Sequence, residues 1–125
     1  SGTNPPNLFL TLGRQPKLFR GWLRFAGRMM PGGSLSRRDT ELVILRVAHR
    51  CDCTYEQTHH RRLGARAGLG DQEMDRVADL SIPVSTPPWS RRDRILLAAT
   101  DELIGDGDLD DDTWTMLRRE VDEPT

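Results

Sequence analysis

Apolar residues in this chain recur every three or four positions, the period of an α-helix, and strand-like alternation is nearly absent. Leu18, Trp22, Phe25 and Met29 mark one such stripe, with Pro16 where a first helical turn accepts proline. The stripe predicts a helix over 16–30, broken by Pro31-Gly32-Gly33-Ser34. Ser36 with Asp39 three residues on predicts a capping box, opening a helix that runs to about Arg50. The next helix is capped by Asp52 or Thr54 and closed by Gly68 as the residue after its C-cap. A short helix over 71–80 takes Asp71 as N-cap. A proline-rich loop over 81–89 precedes a helix over 90–105 that opens with Ser90 and Asp93. A last helix, about 110–121, carries Trp114, Leu117 and Val121 on one face, and residues 7–12 make a short helical turn. The expectation is an all-α chain of about six helices. Ser-Arg-Arg-Asp occurs at 36–39 and again at 90–93. It reads either as the remnant of a duplicated helical hairpin or as the chance recurrence of a good N-cap.

At 125 residues the chain is one domain, 1–125, or part of one. A net charge of −1 gives no reason to expect attraction to nucleic acid or to a membrane surface. No apolar run approaches the length of a membrane span. Cys51 and Cys53 are too close to staple distant segments, so they read as thiols of a reducing compartment, and a cytoplasmic location is expected.

Helical phase singles out four residues. Counting 100° per residue from Glu41, Leu45 falls at about 40°, Ala48 at about 340° and Ile44 at about 300°. Glu41 thus lies inside the apolar stripe of 37–50, while Arg46, His49 and Arg50 occupy the opposite arc and are expected outside. On the following helix Cys53, Glu56 and His60 share a face with Leu63, Gly64 and Ala67, and Tyr55, Arg62 and Arg66 point away. Each member alone has an ordinary explanation: cysteine is common in cores, and a Glu–His pair four residues apart is a helix contact. Together, a thiol, two carboxyls and an imidazole aimed inward are costly unless they answer one another. That arrangement is also how a proton relay is built.

Other clusters point to less. Cys51, Cys53, His59 and His60 lack the spacing of a zinc finger or ribbon. His59 and His60 diverge by about 100°, so both cannot ligate one ion from that backbone; no metal is expected. The acidic loop Asp106-Gly107-Asp108-Leu109-Asp110 carries Asp111 and Leu117 where a calcium loop needs glycine and glutamate, and reads as a solvated loop with an N-cap. Arg61, Arg62 and Arg66 read as a solvated face or subunit salt bridges rather than a phosphate track.

The stretch from Glu41 through Cys51-Asp-Cys-Thr-Tyr-Glu56 to His59-His60, followed by an arginine-rich helix and Ala67-Gly-Leu-Gly-Asp-Gln-Glu73, resembles the carboxymuconolactone decarboxylase family, which includes alkylhydroperoxidase D-like proteins. The likeness is specific over 36–80. It implies antiparallel helical hairpins, activity without a cofactor on a small-molecule substrate, and assembly into a homo-oligomer (dimer, trimer or hexamer). In the peroxidase branch, which has peroxiredoxin-type antioxidant activity, a Cys-x-x-Cys pair works with an upstream Glu and a downstream His. Glu41 matches that Glu, Cys53 the first cysteine and His60 the histidine, whereas the second cysteine position holds Glu56. The form with Glu56 and His60 is shared with non-redox, decarboxylase-like members. Members usually carry one more apolar helix than this chain, which implies a shortened chain or a C-terminal helix replaced by a partner.

Three readings follow. Cys53, activated through His60 and Glu41, reduces small organic peroxides as a thiolate. Alternatively Glu56, His60 and Glu41 perform acid–base work on a small carboxylated lactone or related acid. In the third the site is vestigial and the protein is an oligomeric binding module.

Overall fold

The computed structural model describes residues 6–30 and 32–121, and it is all-helical there. The described residues form seven helices, close to the six or so expected: α1 (Asn7–Leu12), α2 (Pro16–Met29), α3 (Arg37–Arg50), α4 (Thr54–Arg66), α5 (Asp71–Ala78), α6 (Arg91–Gly105) and α7 (Asp111–Glu120). Pro31 lies outside the described residues. The chain divides into two compact units, 1–34 and 35–125.

In the first unit α1 packs on α2. Phe9 meets Phe19 and Trp22 at ring-centroid distances of 5.8 Å each, inside the range of favourable aromatic pairs. The other members of the α2 stripe, Leu18, Phe25 and Met29, are exposed.

In the second unit α3 is central. It packs against α4, α5 and α6, and α6 packs against α7. Leu42, Leu45, Leu69, Met74, Val77, Trp89 and Leu97 form the buried core, so the proline-rich loop delivers Trp89 inward. The turn between α3 and α4 has the geometry of a Schellman motif: Cys53 N–H donates to Ala48 O at 2.8 Å and Asp52 N–H to His49 O at 3.2 Å. Asp52 takes the left-handed position, φ 50°, which a short polar side chain tolerates. Gly68, φ 100°, closes α4 in the same way, as the sequence predicts.

Several local expectations are corrected. Cys53, rather than Asp52 or Thr54, is the N-cap of α4, and its side chain makes no capping bond. Gly70, not Asp71, is the N-cap of α5; Gly70 N–H donates to Glu73 Oε2 at 2.8 Å, and Asp71 sits in the first turn beside the positive helix end. On α7 it is Thr113 that is buried while Trp114 is half exposed, because Thr113 Oγ1 donates to Glu102 Oε1 at 2.6 Å. Arg46 is buried rather than outward. Its Nε and Nη2 donate to Asp101 at 2.8 and 2.7 Å and its Nη1 to Val77 O at 3.1 Å, tying α3 to α6 and to the end of α5. His49 is half-buried, and burial, then the charges of Arg46 and Arg61, push its imidazole below the ordinary value.

The two Ser-Arg-Arg-Asp copies interlock. Ser36 Oγ and Ser90 Oγ each accept a backbone N–H from the Asp three residues on, at 3.1 Å. Arg38 then donates to Asp93 (2.7 and 3.2 Å) and to Glu73, while Arg92 Nε donates to Asp39 at 3.0 Å. Asp93 also completes its own box by accepting from Ser90 N–H at 3.1 Å. Asp39 does not reach back to Ser36, because its carboxylate is turned to Arg92.

Burial alone would raise the Asp93 carboxyl, but the hydrogen bonds from Arg38 and Ser90 outweigh it and hold Asp93 below the ordinary carboxylate value. A depressed folded-state pKa stabilises the fold above the unfolded value of about 3.9, and that contribution is lost as pH falls through the folded value. Urea midpoints measured from pH 6 down to pH 2 should therefore fall at the acid end, and Asp93→Asn should be less stable at pH 6 and show a shallower acid limb. An unchanged acid limb in Asp93→Asn would remove Asp93 from this role.

Candidate active site

Glu41 lies in the second turn of α3, fully buried among the side chains that face α4. His60 sits mid-way along α4, also buried, with Nδ1 2.6 Å from Glu41 Oε2. With Glu41 ionised, its carboxylate only accepts and Nδ1 is the donor in this contact. His60 Nε2 is 3.1 Å from Oε2 of Glu56, one turn earlier on the same helix. The imidazole is thus held between a carboxyl with no solvent exposure and one whose side chain is 36% exposed. With both carboxyls ionised the ring must donate from both nitrogens; a neutral ring satisfies both contacts only if one carboxyl carries a proton. The three side chains form a continuous line of polar contacts from the surface to the core.

The other Glu41 oxygen is answered differently. Arg37 Nη2 stands 2.5 Å from Oε1, four residues back on α3, yet Oε1 receives no well-directed hydrogen bond. The distance makes this an ion pair, and the poor angle explains why it is no hydrogen bond. Arg37 is the residue that helical phase overlooked, although its i, i+4 spacing from Glu41 was a usable signal.

The close approach of α3 and α4 depends on Gly64, one turn after His60. A Cβ there would stand 3.0 Å from Leu69 Cδ1, 3.3 Å from Leu45 Cδ1 and 3.9 Å from Glu41 Cβ. Around the outer side, His59 packs edge-on to His60 at 5.2 Å and stacks on Tyr55 at 6.2 Å.

Cys53 stands apart from these contacts. It is half-buried at the N-cap of α4, and its thiol makes no hydrogen bond to any described residue. Seven positions separate it from His60, about 10 Å of helix rise. Glu56 fills the turn between and occupies His60 Nε2. Cys51 is exposed at the C-cap of α3. The structure therefore joins Glu41, His60 and Glu56 by direct contact and leaves Cys53 beside them without one. Among the described residues no group of three or more His, Cys, Asp or Glu side chains is arranged to hold a metal ion. No described helix is long and apolar enough to cross a membrane.

Compared with known families, residues 16–101 match the model of the carboxymuconolactone decarboxylase family. The chain belongs to that family. Comparison with curated proteins and with solved structures returned no match. The matched segment runs from α2 into α6 and contains Glu41, Cys53, Glu56 and His60.

Gly64→Val should force α3 and α4 apart at the site, costing about 2 kcal/mol through overpacking. It should also weaken the His60–Glu41 contact. Urea unfolding and the proton NMR signal of the His60 ring N–H check the two effects; a variant with native stability and an unmoved ring signal would show that the close packing at Gly64 does not set this geometry.

Proposed function

We propose that this protein is a cofactor-free enzyme that moves a proton on a small carboxylated lactone or a related acid. His60 is the acid–base centre, Glu56 its exchange partner toward solvent, and Glu41 its buried anchor. The observation that supports this reading is the imidazole held between two carboxyls, the outer one standing at the position where the peroxidase branch has its second cysteine. When a carboxylate substrate loses carbon dioxide, the bonding pair of the broken C–C bond stays on the substrate carbon. A proton from His60 completes that carbon, and solvent restores it through Glu56. One proton is consumed per carbon dioxide released and no electron changes hands, so the step calls for neither thiol nor redox cofactor. Glu41 keeps the ring oriented through its contact with Nδ1.

A second reading has one observation in its favour: Cys53 is a free, half-buried thiol at the head of α4. Attack of its thiolate on a peroxide would give an alcohol and a sulfenic acid. Position 56 offers no thiol to resolve that acid, and Cys51 is separated from Cys53 by one residue, a loop that strains a disulfide. Peroxide turnover is therefore expected to be weak.

Carbon dioxide release from a panel of small carboxylated lactones and reduction of an organic hydroperoxide by a dithiol separate these readings. Lactone turnover should drop about a hundredfold or more in His60→Gln, a typical loss for an acid–base group, drop in Glu56→Gln, and persist in Cys53→Ser. Robust hydroperoxide turnover abolished by Cys53→Ser overturns the acid–base assignment, and dependence on both Cys51 and Cys53 would make that pair the redox centre. Inactivity in both assays would overturn both enzymatic readings and leave the third, an oligomeric binding module.

The protein should also work as a homo-oligomer, whether dimer, trimer or hexamer. Leu18, Phe25 and Met29 on α2 and Leu103 and Ile104 at the end of α6 are exposed apolar side chains; such surface marks interfaces, and closed symmetric assemblies are the usual outcome. Light scattering at micromolar concentration should give a multiple of 14.2 kDa. A monomer mass that stays constant on concentration would remove this part of the proposal.

A further inference from the structure

A concavity lies between α6, α7 and the proline-rich loop, with a volume of about 340 Å³, the scale of a small-ligand site. Val84, Ile95, Ala98 and Met116 supply apolar wall, and Arg91 and Arg94 stand at the end nearest the start of α6. The arginines are the informative part. Three of the first four residues of α6 are arginine, and cations are disfavoured at the positive end of a helix. Two of the three have structural employment. Arg92 donates to Asp39 at 3.0 Å, and Arg91 pairs with Glu120 at 2.9 Å. Arg94 has none: its half-buried guanidinium makes no ion pair or hydrogen bond to any described residue. An arginine placed against the helix dipole, without a protein partner, at the rim of an apolar cavity is suited to an anion that brings its own apolar body.

We propose that this cavity is a binding site for a small amphiphilic monocarboxylate, such as a medium-chain fatty acid. The carboxylate is held by Arg94 at the α6 end, where the helix dipole also favours negative charge. The apolar body lies along Ile95 and Ala98, one turn apart on the same face of α6, and against Met116 of α7. This site is lined by none of Glu41, Glu56 or His60, so it stands or falls separately from the acid–base assignment.

Calorimetric titration of the full chain with sodium octanoate and with neutral octanamide tests it. Octanoate should bind at least about tenfold tighter than octanamide. Arg94→Gln, at a partly exposed position whose side chain makes no ion pair or hydrogen bond to a described residue, should erase that preference while leaving the amide unaffected. Ala98→Phe should block both ligands by filling the cavity. Where Ala98→Phe does not fold, the methyl carbon resonance of Met116 gives the location instead, and it should shift as octanoate is added. Equal affinity for acid and amide, an Arg94→Gln variant that binds octanoate like the native chain, or a Met116 methyl that stays still at saturation would each overturn the proposal.

Discussion

A carboxylate with no solvent exposure on the central helix constrains everything around it. Stripping an ion of water costs several kcal/mol even after relaxation, so Glu41 is tolerable only where other groups answer its charge. His60 answers one oxygen at 2.6 Å and Arg37 the other at 2.5 Å. For His60 to reach, α3 and α4 must run close together, and they do so because position 64 has no side chain and because a Schellman turn of three residues, 51–53, reverses the chain between them. An apolar residue in place of Glu41 would pack the interface at lower cost. The buried carboxyl is therefore better understood as something the site uses than as something the fold needs.

The same central helix carries two further buried charges that do belong to the fold. Arg46 spends all three guanidinium nitrogens, two on Asp101 and one on the Val77 carbonyl. Asp39 and Asp93 meet the arginine of the opposite Ser-Arg-Arg-Asp segment, so each segment supplies one cation and one anion to the other. This exchange fixes the start of α3 beside the start of α6 and places two carboxylates against two positive helix ends. It fixes the register of those helices at the end from which Glu41 is one turn removed.

Helix positions were legible because period, caps and breakers agree along most of this chain. Ser36, Ser90 and Gly68 act as their residue types dictate. The inward placement of Glu41 and His60 was legible too, since a carboxyl and an imidazole stand out on apolar faces. What could not be read was partnership across elements. Arg46 looked solvated because helical phase places it opposite Glu41, but α3 is covered by α5 and α6 on that side as well, so it has no free polar face. Trp114 looked buried because it is large and apolar, yet Thr113 takes the inward position once Glu102 is there to receive its hydroxyl. Cys53 sits just before its helix, so a phase counted as though it were inside one says little about where its thiol is.

The two hairpins that open with Ser-Arg-Arg-Asp differ in what bridges their helices. In α6–α7 the link is Glu102 to the Thr113 hydroxyl, with Glu102 also accepting from Asp110 N–H at 3.0 Å. A hydroxyl does not change charge near neutrality, so that link holds the hairpin and does nothing more. In α3–α4 the link is Glu41 to an imidazole, the one side chain whose ordinary titration falls near neutral pH, and a second carboxyl leads from it toward solvent. Each hairpin has a polar clasp between its helices; only that of α3–α4 includes an imidazole. The position of Glu56 decides which chemistry follows. It occupies His60 Nε2 from the place where a second thiol would stand, so the imidazole contacts a partly exposed carboxyl and not Cys53.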